Sequence, residues 1–352
     1  MAYTIDESKK LIAADSGCYQ YMGRIDFDDP KHPVMTWPAT TVDTVFTGTS
    51  LGVVLNAQRF MDENNFGAVI DGVMHKFQIK DNMQDELYIL AEGLEDREHT
   101  LRLVKTLASH NYVGFVGIVV DKDAKVRSPH HSYDYRLEVY GDSVSAGEVV
   151  EAIYYEGQCD PADHRNSYDN AYFSYPMMLA RKLNAEVHNI AQGGIALLDG
   201  TGYFCSDMLT GMESCYDKIQ FSPYAPTKPW DFSRYVPDVV IIALGQNDAN
   251  PEPERIKTAG FRRLWKDEYK KLLNSLMDKY LDAKFVLTLT VLGHDRTWDD
   301  ALDEIASEVA SPRVTHYTFR RSGKATNGHP RATEQEEMAG ELYAYLTQSV
   351  LR

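Results

Sequence analysis

From about Cys18 to Val120 the chain alternates short apolar runs with turn clusters, as in Thr41–Phe46, Gly52–Leu55, Ala68–Ile70, Glu86–Leu90, Leu101–Val104 and Phe115–Val120. No helical-period segment of useful length interrupts them, so the pattern predicts an antiparallel β-sandwich of jelly-roll type. A charged and polar linker with Ser128-Pro129 in it runs from Asp121 to Tyr133 and divides the chain into residues 1–128 and 129–352. After it the period switches. Strands are predicted near 136–140, 185–190, 238–244, 284–292 and 313–318, with helices near 168–183, 254–281, 297–309 and 333–350. This alternation is that of an open three-layer α/β sheet of flavodoxin-like kind. The legible start of the last helix is a Thr333/Glu336 capping box followed by Met338, Leu342, Tyr345 and Leu346 at helical spacing.

Four polar turns in the second half carry chemistry. Gly141-Asp142-Ser143 follows the run Leu137–Tyr140, Gln192-Gly193-Gly194 follows Glu186–Ile190, Gly245-Gln246-Asn247-Asp248 follows Val239–Leu244, and Asn327-Gly328-His329-Pro330 precedes the last helix. Any one of them is an ordinary turn composition. Together they supply what acyl transfer needs: Ser143 as nucleophile, His329 as base, and the N–H groups of Ser143 and Gly193 with the Asn247 amide as oxyanion donors. Gly194 remains an alternative to Gly193 as donor. Ser145 is a rival nucleophile, and Asp142 and Asp248 read as turn-bracing groups. Position 145 is Ser, so the Gly-x-Ser-x-Gly elbow of α/β-hydrolases is not indicated.

The four blocks, in this order, resemble those of the SGNH (GDSL-type) hydrolases. Nearly the whole chain is more closely similar to carbohydrate esterase family 2, which sets a β-sandwich before such a domain. Trp37–Thr41, Phe46–Leu51, Ile70-Asp71-Gly72, Ala91–Leu94, His99-Thr100-Leu101, Asp169–Pro176 and Val236-Pro237-Asp238 carry the likeness. The resemblance implies an acetyl xylan esterase-like enzyme that deacetylates xylan or xylo-oligosaccharides through an acyl-enzyme, with no metal or organic cofactor. The same residues also suit a general short-chain esterase or thioesterase. A glycan-binding protein without catalysis is the alternative from another class, and it has no use for an oxyanion hole.

Two departures from the family pattern matter. SGNH enzymes usually carry Asp three residues before the histidine, whereas here that position is Thr326. The expectation is therefore a Ser143–His329 dyad, its imidazole oriented by a backbone carbonyl as in some family 2 members. Some relatives place an aromatic just before the histidine, where this chain has Gly328. Sugar-stacking aromatics are sought instead in the long 199–234 segment and beside it, with Trp230 and Tyr235 as candidates and Trp298 as another.

Composition narrows the partners. The 352 residues suffice for two cores, and a net charge of −16 argues against nucleic acid or an anionic membrane. A neutral acetylated oligosaccharide fits, and an acidic β domain also suits an interface in a homo-oligomer. The first ten residues, Met1–Lys10, lack a basic start followed by an apolar stretch, and no window reaches membrane-spanning length, so a cytoplasmic site of action is predicted. Cys18, Cys159, Cys205 and Cys215 are sparse and irregular, as free thiols are. Cys159-Asp160 with His164 lacks a second pair at ligand spacing, and His130-His131 lies in the linker; both read as loop chemistry.

Overall fold

The computed structural model describes residues 3–60, 63–162, 166–205, 207–222 and 225–351. The first part holds β1 (Lys9–Ala13), β2 (Gln20–Met22), β3 (Ile25–Asp26), β4 (Val34–Met35), β5 (Thr41–Arg59), β6 (Asn65–Ile70), β7 (Val73–Gln78), β8 (Glu86–Lys105), β9 (Asn111–Asp121) and β10 (Val126–Arg127). They form one antiparallel sheet in the order β3-β4-β9-β5-β8-β6-β7, with β1 beside β9 and both β2 and β10 beside β5. Runs that read as separate strands in the sequence join into long ones. Residues 41–46 and 52–55 both belong to β5, which shifts register at Gly48/Ser50 and Leu51/Gly52. Such bulges bend and twist a strand without ending it, so the sheet curls over its own core. That core contains Val42, Phe46, Leu51, Val53, Phe66, Leu103, Phe115 and Ile118. The expected β-sandwich is thus a β-sandwich-like domain made by one curled sheet.

The boundary expected at 128/129 lies between β10 and the first strand of the second part. That part runs β11 (Tyr135–Gly141), α1 (Ser143–Ala146), α2 (Tyr175–Leu183), β12 (Ala185–Ala191), β13 (Lys218–Gln220), β14 (Lys228–Pro229), β15 (Val239–Ala243), α3 (Ala259–Lys279), β16 (Lys284–Thr288), α4 (Thr297–Val309), β17 (Val314–His316) and α5 (Ala332–Tyr345). Its main sheet is parallel, in the order β12-β11-β15-β16-β17. Side chains alternate across it, as the pleat requires. Leu137, Val139, Val187, Val239 and Ile241 pack with Met177, Leu179, Met338 and Leu342 of α2 and α5. Tyr140, Ile190, Val240 and Ile242 pack with Trp265, Tyr269, Leu276 and Trp298 of α3 and α4.

Three helix details differ from the sequence pattern. The helix expected from 168 begins at Tyr175, because Pro176 fits only a first turn. The one expected from 254 begins at Ala259, after a separate 3-10 turn at Arg255–Lys257. In α5 the Thr333/Glu336 capping box is absent: the helix starts at Ala332, and Glu334 reaches back to accept the Arg331 N–H at 3.0 Å. Thr333 donates instead to Glu156 at 2.9 Å, and Glu336 pairs with Lys182 at 2.5 Å. No helix among the described residues is long and apolar enough to cross a membrane.

Candidate active site

The register of the parallel sheet brings three of the four turns together. Gly141 of β11 lies opposite Ala191 of β12 and Ala243 of β15, so the three strands end level. The chain leaves β11 for β12 on one side and later reaches β15 on the other. Such a reversal opens a crevice beyond the carboxyl ends of the strands. Ser143, Gly193 and Asn247 therefore meet in one cleft of about 410 Å³, and the loop before α5 adds His329.

Two buried carboxylates hold loops of the site. Asp142 accepts the Val144 N–H at 3.0 Å and caps α1, and burial pushes its carboxyl up to about 6. Asp248 accepts the N–H groups of Leu197 and Leu198 at 2.8 and 3.1 Å, and burial pushes its carboxyl up to about 7. Both brace loops, as the sequence suggested. Ser145 is fully buried, with its hydroxyl 2.9 Å from the Tyr175 hydroxyl, so it turns into the core. Ser143 stays at the cleft, and its N–H, in the first turn of α1, has no partner within the helix.

Asn247 donates from Nδ2 to the Ile195 carbonyl at 2.9 Å. An amide nitrogen carries two hydrogens, so this bond aims the group and leaves one donor. Gly193 and Gly194 both line the cleft. Gly194 sits at a φ of 72° and its carbonyl accepts from Tyr203 and Phe204, a turn-forming role. At Gly193 a Cβ would fall 1.6 Å from the Glu148 carboxylate, so any side chain there would displace Glu148.

The dyad expectation needs correction. His329 Nδ1 lies 2.7 Å from Asp160 Oδ2, and Asp160 Oδ1 accepts the His329 backbone N–H at 3.0 Å and Arg331 Nη1 at 2.8 Å. A carboxylate therefore orients the ring, supplied by the loop after α1 instead of by position 326. Thr326 spends its hydroxyl on the Gln158 carbonyl at 3.1 Å. Gly328 explains how the carboxylate gains access, since a Cβ there would fall 2.2 Å from Asp160 Oδ1. Two departures from the family pattern, at 326 and 328, thus have one structural answer. His164, read beside Cys159-Asp160 in the sequence, lies outside the described residues.

Electrostatics follow from this packing. Burial alone would favour neutral His329, but the Asp160 hydrogen bond and the charges of Glu148 and Asp160 outweigh it and hold its pKa above the ordinary imidazole value. The Glu148 carboxylate is 3.7 Å from Nε2, the nitrogen that faces the cleft chemistry. Asp160 would be raised by burial, yet the bonds from His329 and Arg331 hold it well below the usual carboxylate range.

The sugar-stacking candidates need correction as well. Trp230 and Tyr235 are each 5% exposed, buried away from the cleft lining. The Tyr235 hydroxyl donates to the Leu137 carbonyl at 2.9 Å, near the amino end of β11, and its ring stacks on His188 at 3.6 Å. Trp230 packs against the fully buried Arg24 guanidinium, 5.2 Å from its ring centroid. Arg24 comes from the β domain and bonds Glu138 at 3.0 Å and the Tyr140 hydroxyl at 2.7 Å. This ties the β domain to the face of the parallel sheet that carries Glu138 and Tyr140. Trp298 is buried edge-on against Trp265. Of the cleft-lining rings in the same long segment, Phe204 is buried and Tyr203 is 63% exposed.

All four cysteines are free thiols, and no cluster of ligating side chains suited to a metal occurs among the described residues. His131 bridges the domains, bonding Asn184 through Nε2 at 2.7 Å and Gln20 through its N–H at 2.7 Å.

A model of the carbohydrate esterase 2 N-terminal region matches residues 21–129. The chain is 31% identical over 269 residues to the cellulase/esterase CelE of Acetivibrio thermocellus, covering 75% of this chain and 30% of that protein. It is 25% identical over 352 residues to an acetylxylan esterase/glucomannan deacetylase of Cellvibrio japonicus, covering 97% and 91% of the two. Its fold superposes with a TM-score of 0.78 and 26% identity on a family two carbohydrate esterase from Clostridium thermocellum, solved with cellohexaose, over 94% of this chain and 99% of the other. A curled β domain joined to a parallel sheet, a serine and a histidine in the cleft at that sheet's edge, and similarity along almost the whole length lead to one assignment: the chain belongs to carbohydrate esterase family 2.

Proposed function

We propose that this chain is a serine esterase that removes O-acetyl groups from sugar hydroxyls, with acetylated xylan or xylo-oligosaccharides as substrates. The carrying observation is that Ser143, Gly193, Asn247 and His329 converge on one cleft while Asp160 holds Nδ1 of the histidine. That bond leaves Nε2 to take a proton.

In this reading the Ser143 oxygen attacks the acetyl carbonyl carbon and its proton passes to His329 Nε2. The oxyanion is held by the Ser143 and Gly193 N–H groups and the Asn247 amide. Collapse breaks the bond to the sugar oxygen, which takes the proton from His329. Water, deprotonated by His329, then attacks the acetyl-serine; the bond to the Ser143 oxygen breaks, that oxygen takes the proton back from His329, and acetate leaves. Glu148 and Asp160 both favour the imidazolium formed at each addition step. Tyr203 offers a flat face to the sugar. The Cellvibrio japonicus relative, an acetylxylan esterase/glucomannan deacetylase, supports the substrate class.

The test is acetate release from acetylated xylo-oligosaccharides and from p-nitrophenyl acetate by the wild type and by Ser143→Ala. Turnover on both substrates, abolished in the variant, is expected. An inactive wild type would remove the esterase reading, and an active Ser143→Ala variant would remove the nucleophile.

A further inference from the structure

His110 belongs to neither the four turns nor the parallel sheet. It ends the short connection between β8 and β9 of the β domain, and that connection reaches across the domain joint so that His110 lines the catalytic cleft beside Ser143, Glu148, Gly193 and His329. The neighbouring Ser109 hydroxyl donates to Gln192 Oε1 at 2.7 Å. Gln192 Nε2 contacts the Gly193 carbonyl at 3.1 Å and His110 Nδ1 at 3.3 Å.

These contacts settle the histidine's tautomer. A carbonyl oxygen only accepts, so the Gln192 nitrogen must face Gly193, and the same nitrogen then donates to His110 Nδ1. Nδ1 is therefore the acceptor of the ring, and the hydrogen sits on Nε2. Burial, with the nearby Lys105 charge, pushes the His110 pKa down to about 3, so the ring stays neutral. Nε2 is buried and has no hydrogen-bond partner among the described residues, and the residue is 6% exposed.

A buried N–H without an acceptor bears the desolvation penalty of that group uncompensated. At a cleft wall that cost is recovered when a ligand oxygen arrives. The acetyl carbonyl oxygen already has its donors, so the oxygen left for His110 is on the sugar. We propose that His110 is a substrate-binding residue contributed by the β domain, its Nε2–H donating to a hydroxyl oxygen of the sugar that carries the acetyl group. The β domain thereby takes part in choosing the substrate. A site built to bond a hydroxyl discriminates strongly against a substrate lacking it.

This inference rests on the sugar deacetylase reading and is tested with two substrates. Acetylated xylo-oligosaccharides carry hydroxyls, whereas p-nitrophenyl acetate has none. His110→Phe fills the same space without a donor, and His110→Gln restores an N–H near the Nε2 position. For His110→Phe, kcat/KM on the acetylated oligosaccharide should fall tenfold or more, chiefly through KM. Its p-nitrophenyl acetate turnover should stay within threefold of wild type, which reports an intact oxyanion loop, and His110→Gln should recover most of the loss. Parallel losses on both substrates, no loss on either, or a Gln variant as poor as the Phe variant would overturn the role of His110 alone. A wild type that cleaves p-nitrophenyl acetate but no acetylated sugar would overturn the sugar reading and this proposal together.

Discussion

Replacing Asp160 by Asn separates a triad from a dyad. The wild-type carboxylate accepts three hydrogen bonds, from His329 Nδ1 at 2.7 Å, the His329 N–H at 3.0 Å and Arg331 Nη1 at 2.8 Å. Asparagine keeps the shape and can keep its oxygen towards the latter two. Its NH2 group then faces Nδ1 and forces that nitrogen to accept. The ring hydrogen moves to Nε2, which can no longer take the Ser143 proton. Loss of one charge-assisted hydrogen bond, about 1.5–3 kcal/mol, predicts a fall in kcat of roughly 10-fold to 150-fold. Full reversal of the tautomer raises the loss towards about 10⁴-fold. Asn is preferable to Ala, because Arg331 is fully buried and removing its acceptor outright costs roughly 3–5 kcal/mol of stability.

The assay is kcat and KM on both substrates across pH 5–9, with thermal melts to confirm folding. Catalysis requires neutral His329, so activity rises with pH through its pKa, which Asp160 helps to hold above the ordinary value. In Asp160→Asn that rising limb should move to lower pH while the plateau falls. Gly328→Ala provides an independent arm: its Cβ, 2.2 Å from Asp160 Oδ1, must displace the carboxylate and should lower kcat in the same direction. An Asp160→Asn enzyme within threefold of wild type, with an unmoved limb, would refute the triad and restore the dyad.

Glu148→Gln removes the charge 3.7 Å from His329 Nε2, so the rising pH limb should shift to lower pH, as a pH–rate profile will report. Tyr203→Ala should raise KM for acetylated oligosaccharides about 2-fold to 10-fold, as expected for losing an aromatic contact worth roughly 0.5–1.5 kcal/mol, with p-nitrophenyl acetate unaffected. Trp230→Ala should do the reverse, lowering the melting temperature by removing a buried ring at the domain joint while leaving the KM of the folded enzyme unchanged. Buried Lys105 donates to the Leu107 and Ala108 carbonyls, and burial pushes its pKa down to about 7. The folded protein then binds fewer protons than the unfolded chain between about pH 7 and 10, so this group adds stability as pH rises through that window. Denaturant melts should show this rise in the wild type and a weaker one in Lys105→Met; equal slopes would contradict it.

The architecture was legible because it rests on local rules. Period-2 runs made the strands, and apolar runs ending in Gly-containing turns located the carboxyl edge of the parallel sheet. Both depend only on near neighbours in the chain. Ends of elements were less so: β5 reads as two strands because a bulge resembles a turn until the partner strand is present. The aromatics show the limit most clearly. Trp230 and Tyr203 lie in one segment of similar composition, yet one is buried against Arg24 of the β domain and the other faces the cleft. Nothing in the segment separates them, since the partner that buries Trp230 is some two hundred residues away.

The motif residues Ser143, Gly193, Asn247 and His329 could be named from the chain because each must occupy a turn at the end of a regular element, and that requirement is written locally. Asp160 and His110 could not. A carboxylate that orients an imidazole, or an imidazole that waits for a hydroxyl, is defined by the atoms within three or so ångströms, not by its neighbours in sequence. Thr326 and Gly328 recorded that something had changed, one by lacking a charge and the other by lacking a side chain. Only the folded chain, which lays the loop after α1 against the loop before α5 and inserts the β8–β9 connection into the cleft, decided what took their place.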